Sequence, residues 1–337
     1  MRTDDLDYPL PPESIAQQPA EPRDSARLLV ALAGRVEHRR VSDLPSLLGP
    51  GDVVVVNDTK VLRARVAVTR TTGGGGEVLL LEPAQDGWWE ALVRPSRKIA
   101  SGELVAARRG RLHFEVGEDL GEGRRLVRPV ADSPLIDALD EAGEMPLPPY
   151  ITSSTSDDDR YQTVYAERPA SAAAPTAGLH LTPELLEAIE ATGASLHRVE
   201  LVVGLGTFRP ITADVVEDHV MHAERYHVPA ATMAAVEGAG RVVAIGTTTV
   251  RALESAATSG ELDGSTDIFI TPGYRWKVVD TLMTNFHLPR SSLLAMVEAF
   301  VGDRWRELYA EAVRDGYRFL SFGDAMFLER SAPVERT

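Results

Sequence analysis

The sequence predicts an α/β domain built from both ends of the chain and interrupted by an all-β insertion. Three observations carry this reading. An apolar run, Asp52 to Val56 (DVVVV), ends in a polar turn. From Arg65 to Val130, short runs are separated by Gly, Pro and charged turns. In the second half, helices alternate with strands.

Asp52 to Val56 reads as a short buried strand leading into the turn Asn57, Asp58, Thr59. RVAVT, EVLLL, WWEALV and RLHFEV follow with the spacing of a sandwich or barrel, and Gly73 to Gly76 make a hairpin turn. Ser133 as N-cap, Pro134 in the first turn and Gly143 as terminator mark a helix over LIDALDEA. The Pro, Ser and Asp-rich EMPLPPYITSSTSDDDR is an extended crossing, so the expected boundaries are 1–61 plus 151–337 for the α/β domain and 62–150 for the insertion. Thr182 caps PELLEAIEA, which Gly193 ends, and VELVV follows. RVVAIG runs into VRALESAA. IFI near residue 269, a VVD strand at 278–280, the helices SLLAMVEAF and DRWRELYAEAVRD, and YRFL continue the pattern.

The chain's 337 residues suffice for one large or two ordinary domains, and 44% hydrophobic with 25% charged residues is an ordinary globular composition. No apolar run approaches the roughly 20 residues of a membrane span. MRTDDLDYPL lacks the features of a secretory signal, and the absence of cysteine excludes disulfides, thiolate metal sites and cysteine nucleophiles, so a cytoplasmic location is expected. A net charge of -15 argues against a general nucleic-acid binder. Leu62 to Val130 is the exception, with twelve Lys or Arg against nine Asp or Glu, and Arg94, Arg97 and Lys98 there are candidate RNA contacts.

Four polar or glycine-rich turns, Asn57 to Thr59, Gly204 to Thr207, Gly246 to Thr249 and Ser321 to Asp324, are expected at strand ends, where α/β folds gather ligands. Gly246, Thr247, Thr248 and Thr249 before a helix offer backbone N–H groups, hydroxyls and a helix dipole to a carboxylate or phosphate, and Arg251 adds a cation. Gly204-Leu205-Gly206 is not a dinucleotide fingerprint, because a third glycine is absent and Pro210 blocks an immediate helix. His219, His222, Glu224 and His227 do not follow a zinc spacing; His222 and Glu224 can instead serve as acid and base. APTAGLH (174–180) presents His180 ahead of a capped helix. TNFHLP (284–289) sets Asn285, Phe286 and His287 within apolar sequence, where burying polar groups is costly unless they are paired.

These segments resemble the queuosine-pathway S-adenosylmethionine:tRNA ribosyltransferase-isomerase (QueA) family. The resemblance runs through RPSRK (94–98), EMPLPPYI (144–151), YQTVYA (161–166), APTAGLH, GTF (206–208), EDHVMHAE (217–224), VVAIGTTTVRALE (242–254), TNFHLP and YRFLSFGDAMF (317–327). It implies a β-barrel-like insertion and transfer of the ribosyl part of S-adenosylmethionine to an aminomethyl-deazaguanine at the tRNA wobble position. Adenine and methionine leave, epoxyqueuosine-tRNA forms, and neither a metal nor a membrane is involved; a monomer is expected. The chemistry needs a base for the proton beside the sulfonium, an acid for departing adenine and a neutral tRNA amine. His180, His222 and His287 are the candidate proton-transfer groups, with Asp324 or Glu224 balancing the cation. Asn57 and Asn285 position ribose or adenine, alongside Thr176, Gly178, Gly206, Thr207, Thr247, Thr248 and Arg251. Phe208, Phe286 and Tyr274 are candidate aromatic faces for the sulfonium.

The chain departs from the family pattern at Val202, where the family usually has histidine. Leu181 stands for Phe, Arg63 for Pro, and Ala170 and Ala172 for Gly and Val. A non-catalytic RNA-binding relative and an S-adenosylmethionine-using enzyme of a small molecule are the competing readings. RNA-dependent adenine release separates all three.

Overall fold

The computed structural model describes residues 1–152, 158–204 and 210–331. Two compact units emerge: Met1–Thr59 with Pro149–Ala166 and Pro175–Thr337, and Lys60–Pro148 with Glu167–Ala174. The chain therefore returns to the inserted unit after first leaving it, at a segment (RPAS) whose proline hides its strand character.

The first unit opens with the hairpin β1 (Arg27–Leu32) and β2 (Arg35–Arg40), followed by β3 (Asp52–Asn57). Every residue of β3 is buried, as an apolar run without alternation requires when both faces are covered.

In the inserted unit β4 (Thr59–Val61) leads to β5 (Arg65–Thr69), β6 (Gly75–Pro83), β7 (Trp89–Arg94), β8 (Leu104–Ala107), β9 (His113–Gly121) and β10 (Arg124–Val130). The last six close a barrel in the order β10-β7-β6-β5-β8-β9. Its interior is filled by alternate residues such as Val66, Val68, Val78, Val93, Phe114 and Val127. Helix α1 (Leu135–Ala142) is the expected LIDALDEA segment, with Pro134 rather than Ser133 at the N-cap. Gly143 closes it through close packing: a Cβ there would sit 1.8 Å from the Arg63 carbonyl oxygen. β11 (Arg168–Ser171) pairs with β4.

The first unit resumes with α2 (Pro183–Ala191), whose Leu185 N–H donates to the Thr182 hydroxyl as expected of that cap. β12 (Ser195–Leu201), β13 (Glu224–His227), α3 (Ala230–Glu237), β14 (Arg241–Ile245), α4 (Thr247–Ser259) and β15 (Asp263–Thr266) follow. β16 (Thr281–Asn285), α5 (Ser292–Val301), α6 (Trp305–Arg314) and β17 (Ala325–Glu329) complete it. The nine-stranded sheet runs β15-β13-β12-β3-β14-β16-β17-β1-β2.

Three expected strands move. IFI is irregular and its neighbour β15 pairs instead; VVD gives way to the following TLMTN; and YRFL precedes β17 rather than forming a strand. Buried Thr281, Thr284 and Asn285 make β16 look polar in sequence.

β12, β3, β14 and β16 are parallel, so their carboxyl ends share one edge. β17 runs antiparallel to β16 and begins at that edge, with Ala325 opposite Asn285. Ser321 to Asp324 therefore reaches the edge ahead of a strand, not after one. From β3 the chain places β12 on one side and β14 on the other, and this reversal of order is where open α/β sheets hold ligands. Among the described residues no helix is long and apolar enough to cross a membrane.

Candidate active site

The APTAGLH turn and the end of β16 meet in a short polar chain. The Thr176 hydroxyl donates to Asn285 Oδ1 at 2.9 Å, and Asn285 Nδ2 lies 3.2 Å from His180 Nε2. Burial, helped by nearby Arg318, pulls the His180 imidazole down to about 4, against a partial rise from a hydrogen bond to the Arg23 backbone. A backbone group that raises imidazole basicity is a carbonyl accepting the ring N–H, so Nε2 is the acceptor of the Asn285 amide. His180 is neutral at pH 7.

His287 stands on the same edge. Its Nε2 is 2.9 Å from the Thr284 hydroxyl, and burial pulls it down to about 3. Its backbone is clamped from distant sequence: the Tyr8 hydroxyl donates to the His287 carbonyl at 2.6 Å, and the His287 N–H donates to the Tyr309 hydroxyl at 3.1 Å. Phe286, between them, is fully buried and packs edge-on against Tyr309 and Tyr317 and tilted against Phe319. Its ring belongs to the aromatic core, and Tyr274, whose hydroxyl donates to Glu254 at 3.0 Å, is the more accessible aromatic.

Both histidines titrate below their unfolded value of 6.5, so between pH 6.5 and about 4 the unfolded chain holds protons that the folded chain lacks. The stability gained by neutral burial is complete above pH 6.5 and drains as pH falls. At pH 5 each histidine accounts for roughly 2 kcal/mol of lost stability. Urea midpoints should drop from pH 7 to 5, and drop less in His287→Gln; a midpoint indifferent to pH would contradict this.

Asn57 sits at the reversal point with its side chain fully engaged. Nδ2 donates to the Leu201 carbonyl (3.0 Å) and the Thr248 hydroxyl (3.1 Å), while Oδ1 accepts from the Thr59 and Leu201 N–H groups (3.1 and 3.2 Å). It ties β3, β12 and α4 together, and Thr248 acts through it. Thr249 turns its hydroxyl back onto the Ile245 carbonyl, and Thr247 is buried at the first position of α4. Asp324 likewise spends both oxygens on backbone, accepting from the Arg27 and Arg318 N–H groups at 2.8 Å each. Its carboxylate organises the starts of β1 and β17 rather than facing open space.

Glu224 and Arg251 form a buried ion pair beside the end of β12, where Glu224 Oε1 also accepts the Gly204 N–H at 3.0 Å. His222 is exposed on the segment before β13. His219, His222, Glu224 and His227 do not converge: among the described residues the group whose ligand atoms do is His38, Glu311 and Asp315. Gly206, Thr207 and Phe208 lie outside the described residues. Arg94, Arg97 and Lys98 stand exposed on the barrel.

Sequence reasoning missed Tyr165, whose buried hydroxyl has no partner among the described residues and lies against Gly178. It also missed Glu254, fully buried, which accepts three backbone N–H groups from Lys277 to Val279 and the Tyr274 hydroxyl. Both belong to quoted motifs, YQTVYA and VVAIGTTTVRALE, and a tyrosine or a glutamate amid small apolar residues was the available signal.

The family model described as Queuosine biosynthesis protein matches residues 3–328. The chain is 54% identical to the S-adenosylmethionine:tRNA ribosyltransferase-isomerase of Rubrobacter xylanophilus, over 97% of this chain and 98% of the relative. It is 50% identical to the protein of that name from Moorella thermoacetica, over 97% and 100% respectively. Among solved structures it is similar to S-adenosylmethionine tRNA ribosyltransferase from Thermotoga maritima, with 36% identity, a TM-score of 0.54 and coverage of 96% of this chain and 99% of that one.

Proposed function

We propose that this chain, which belongs to the queuosine biosynthesis protein family, is an S-adenosylmethionine:tRNA ribosyltransferase-isomerase. It moves the ribosyl part of S-adenosylmethionine onto the aminomethyl-deazaguanine at the tRNA wobble position, giving epoxyqueuosine-tRNA and releasing adenine and methionine. The observation that carries this is likeness along the full length to relatives of that name, at half identity or better. The Val202 departure lies at the end of β12, where its backbone N–H keeps a sheet bond to the Arg225 carbonyl at 2.9 Å, so the site edge retains its frame without the imidazole.

The chain's own groups suit proton transfer. His180 is neutral and desolvated, and when substrate displaces the Asn285 amide from its Nε2 that nitrogen can take the proton acidified by the sulfonium. His180, once protonated, can pass that proton to departing adenine, while His287, turned by Thr284, and exposed His222 share the remaining proton transfers at the incoming amine. The Glu224–Arg251 pair, Thr247 and the first turn of α4 hold the polar ends of the co-substrate, with Tyr274 as an aromatic face.

Incubation with labelled S-adenosylmethionine and tRNA bearing the aminomethyl-deazaguanine should release adenine in step with epoxyqueuosine. Release without RNA would favour a small-molecule substrate, and no release would favour a binding protein. His180→Ala should lower turnover by about 10²–10⁴. Release at the parental rate by the alanine variants of His180, His222 and His287 would overturn these roles.

A further inference from the structure

Some of the barrel's cations are paired and others are not. Arg70 is paired with Glu103, Arg124 with Glu90 and Arg128 with Glu115. Arg94, Arg97 and Lys98 are exposed, and no hydrogen bond or ion pair joins their side chains to another described residue. These three surround one cleft of about 810 Å³, between the turn after β7 and the β9–β10 hairpin, with Asp119 and Glu122 on its opposite wall.

Beneath that turn lies Arg125, 3% exposed and without a carboxylate partner among the described residues. Its Nη1 donates to the Ser96 and Ile99 carbonyls (3.2 and 3.0 Å), its Nη2 to Ser101 Oγ and the Gly117 carbonyl (3.0 and 2.6 Å), and its Nε to the Glu118 carbonyl at 3.3 Å. Every donor is satisfied, yet the charge is not neutralised. The guanidinium thus holds the turn rigid and places a buried positive charge under the cleft, where an anion would compensate it. Ser96, which lines the cleft, has a buried hydroxyl with no partner among the described residues. Cations, an idle hydroxyl and a buried charge on one wall are complementary to phosphate oxygens; the Asp119 carboxylate on the other wall can accept from the amino group of a base.

We propose that this cleft binds a phosphate and its attached unpaired nucleotide in the RNA substrate, an inference that rests on the tRNA reading above. The volume lies in the range of small-ligand sites. Elsewhere the chain is strongly acidic, so RNA must be gripped by unpaired cations, and of the exposed barrel cations Arg94, Arg97 and Lys98 line a cleft while Arg108, Arg109 and Arg111 do not.

The test measures tRNA affinity by fluorescence anisotropy at several salt concentrations. Arg94→Gln/Arg97→Gln/Lys98→Gln should weaken binding about 10- to 100-fold and flatten the log–log salt slope by about 2–3. Ser96→Ala should weaken binding a few-fold and leave that slope alone. Arg109→Gln/Arg111→Gln, on exposed cations outside the cleft, should stay within about 3-fold of the parent. Parental affinity and slope in the triple variant, or equal losses in the control, would overturn the proposal. If adenine release proceeds while the triple variant binds normally, the cleft inference alone falls. If the cleft variants lose affinity but the parent never releases adenine, the reaction assignment falls and the cleft stands.

Discussion

Glu224→Ala is expected to destabilise the fold by about 3–5 kcal/mol, because it strands the Arg251 guanidinium in a site 3% exposed. The remaining partners of Arg251 are poor: Nε reaches the Ile268 carbonyl at 3.3 Å and Nη2 the Thr266 carbonyl at 3.4 Å. The same substitution frees the Gly204 N–H and so loosens the end of β12. Glu224→Met/Arg251→Met should lose less than either single change, since apolar groups of similar volume carry no desolvation cost. Urea unfolding of the four proteins gives the coupling directly. A single Glu224→Ala loss under about 1 kcal/mol would mean that water reaches the pair and that the charge is not buried. Glu224→Gln keeps an acceptor for the Gly204 N–H but turns an amide NH2 toward Arg251, so it should lose most of the ion-pair stability while holding the end of β12.

Much of the architecture was legible because burial pattern and backbone period agree. DVVVV is apolar throughout and becomes a central strand; RVAVT and RLHFEV alternate and become barrel strands; Thr182 announces its helix by a side-chain bond three residues long in sequence. Legibility failed where tertiary partners decide. TLMTN reads as polar, but its amide and hydroxyls are matched by Thr176, His180 and His287, and nothing local reveals those matches. Phe286 looked like a wall of the site since it sits between Asn285 and His287; the backbone instead turns its ring into the Tyr309, Tyr317 and Phe319 core. The acidic Asp324 looked like a counter-ion until two N–H groups, one from Arg27 nearly three hundred positions away, claimed its oxygens. The neutrality of His180 and His287 is a consequence of burial, which no spacing encodes.

Gly178→Ala is expected to cost about 3 kcal/mol, as overpacking in a dense core does. Its Cβ would fall 1.9 Å from the Tyr165 hydroxyl oxygen, 3.0 Å from Tyr165 Cζ and 3.1 Å from Thr163 Cγ2. Tyr165 cannot swing aside, because it is packed in the core cluster with Val54, Val56, Ala177 and Leu181. The main chain must move instead, and His180 lies two residues on, so turnover should fall together with stability. Tyr165→Phe removes the nearest clashing atom, and Gly178→Ala/Tyr165→Phe should recover part of both losses; independent, additive effects would refute the contact. The single Tyr165→Phe is the informative member of the cycle. Its hydroxyl is buried without a partner among the described residues, so deleting it should leave stability unchanged or raise it by about 1 kcal/mol. A drop in adenine release at undiminished stability would then show that this hydroxyl finds its partner in the substrate, and that Gly178 lacks a side chain to let the two meet.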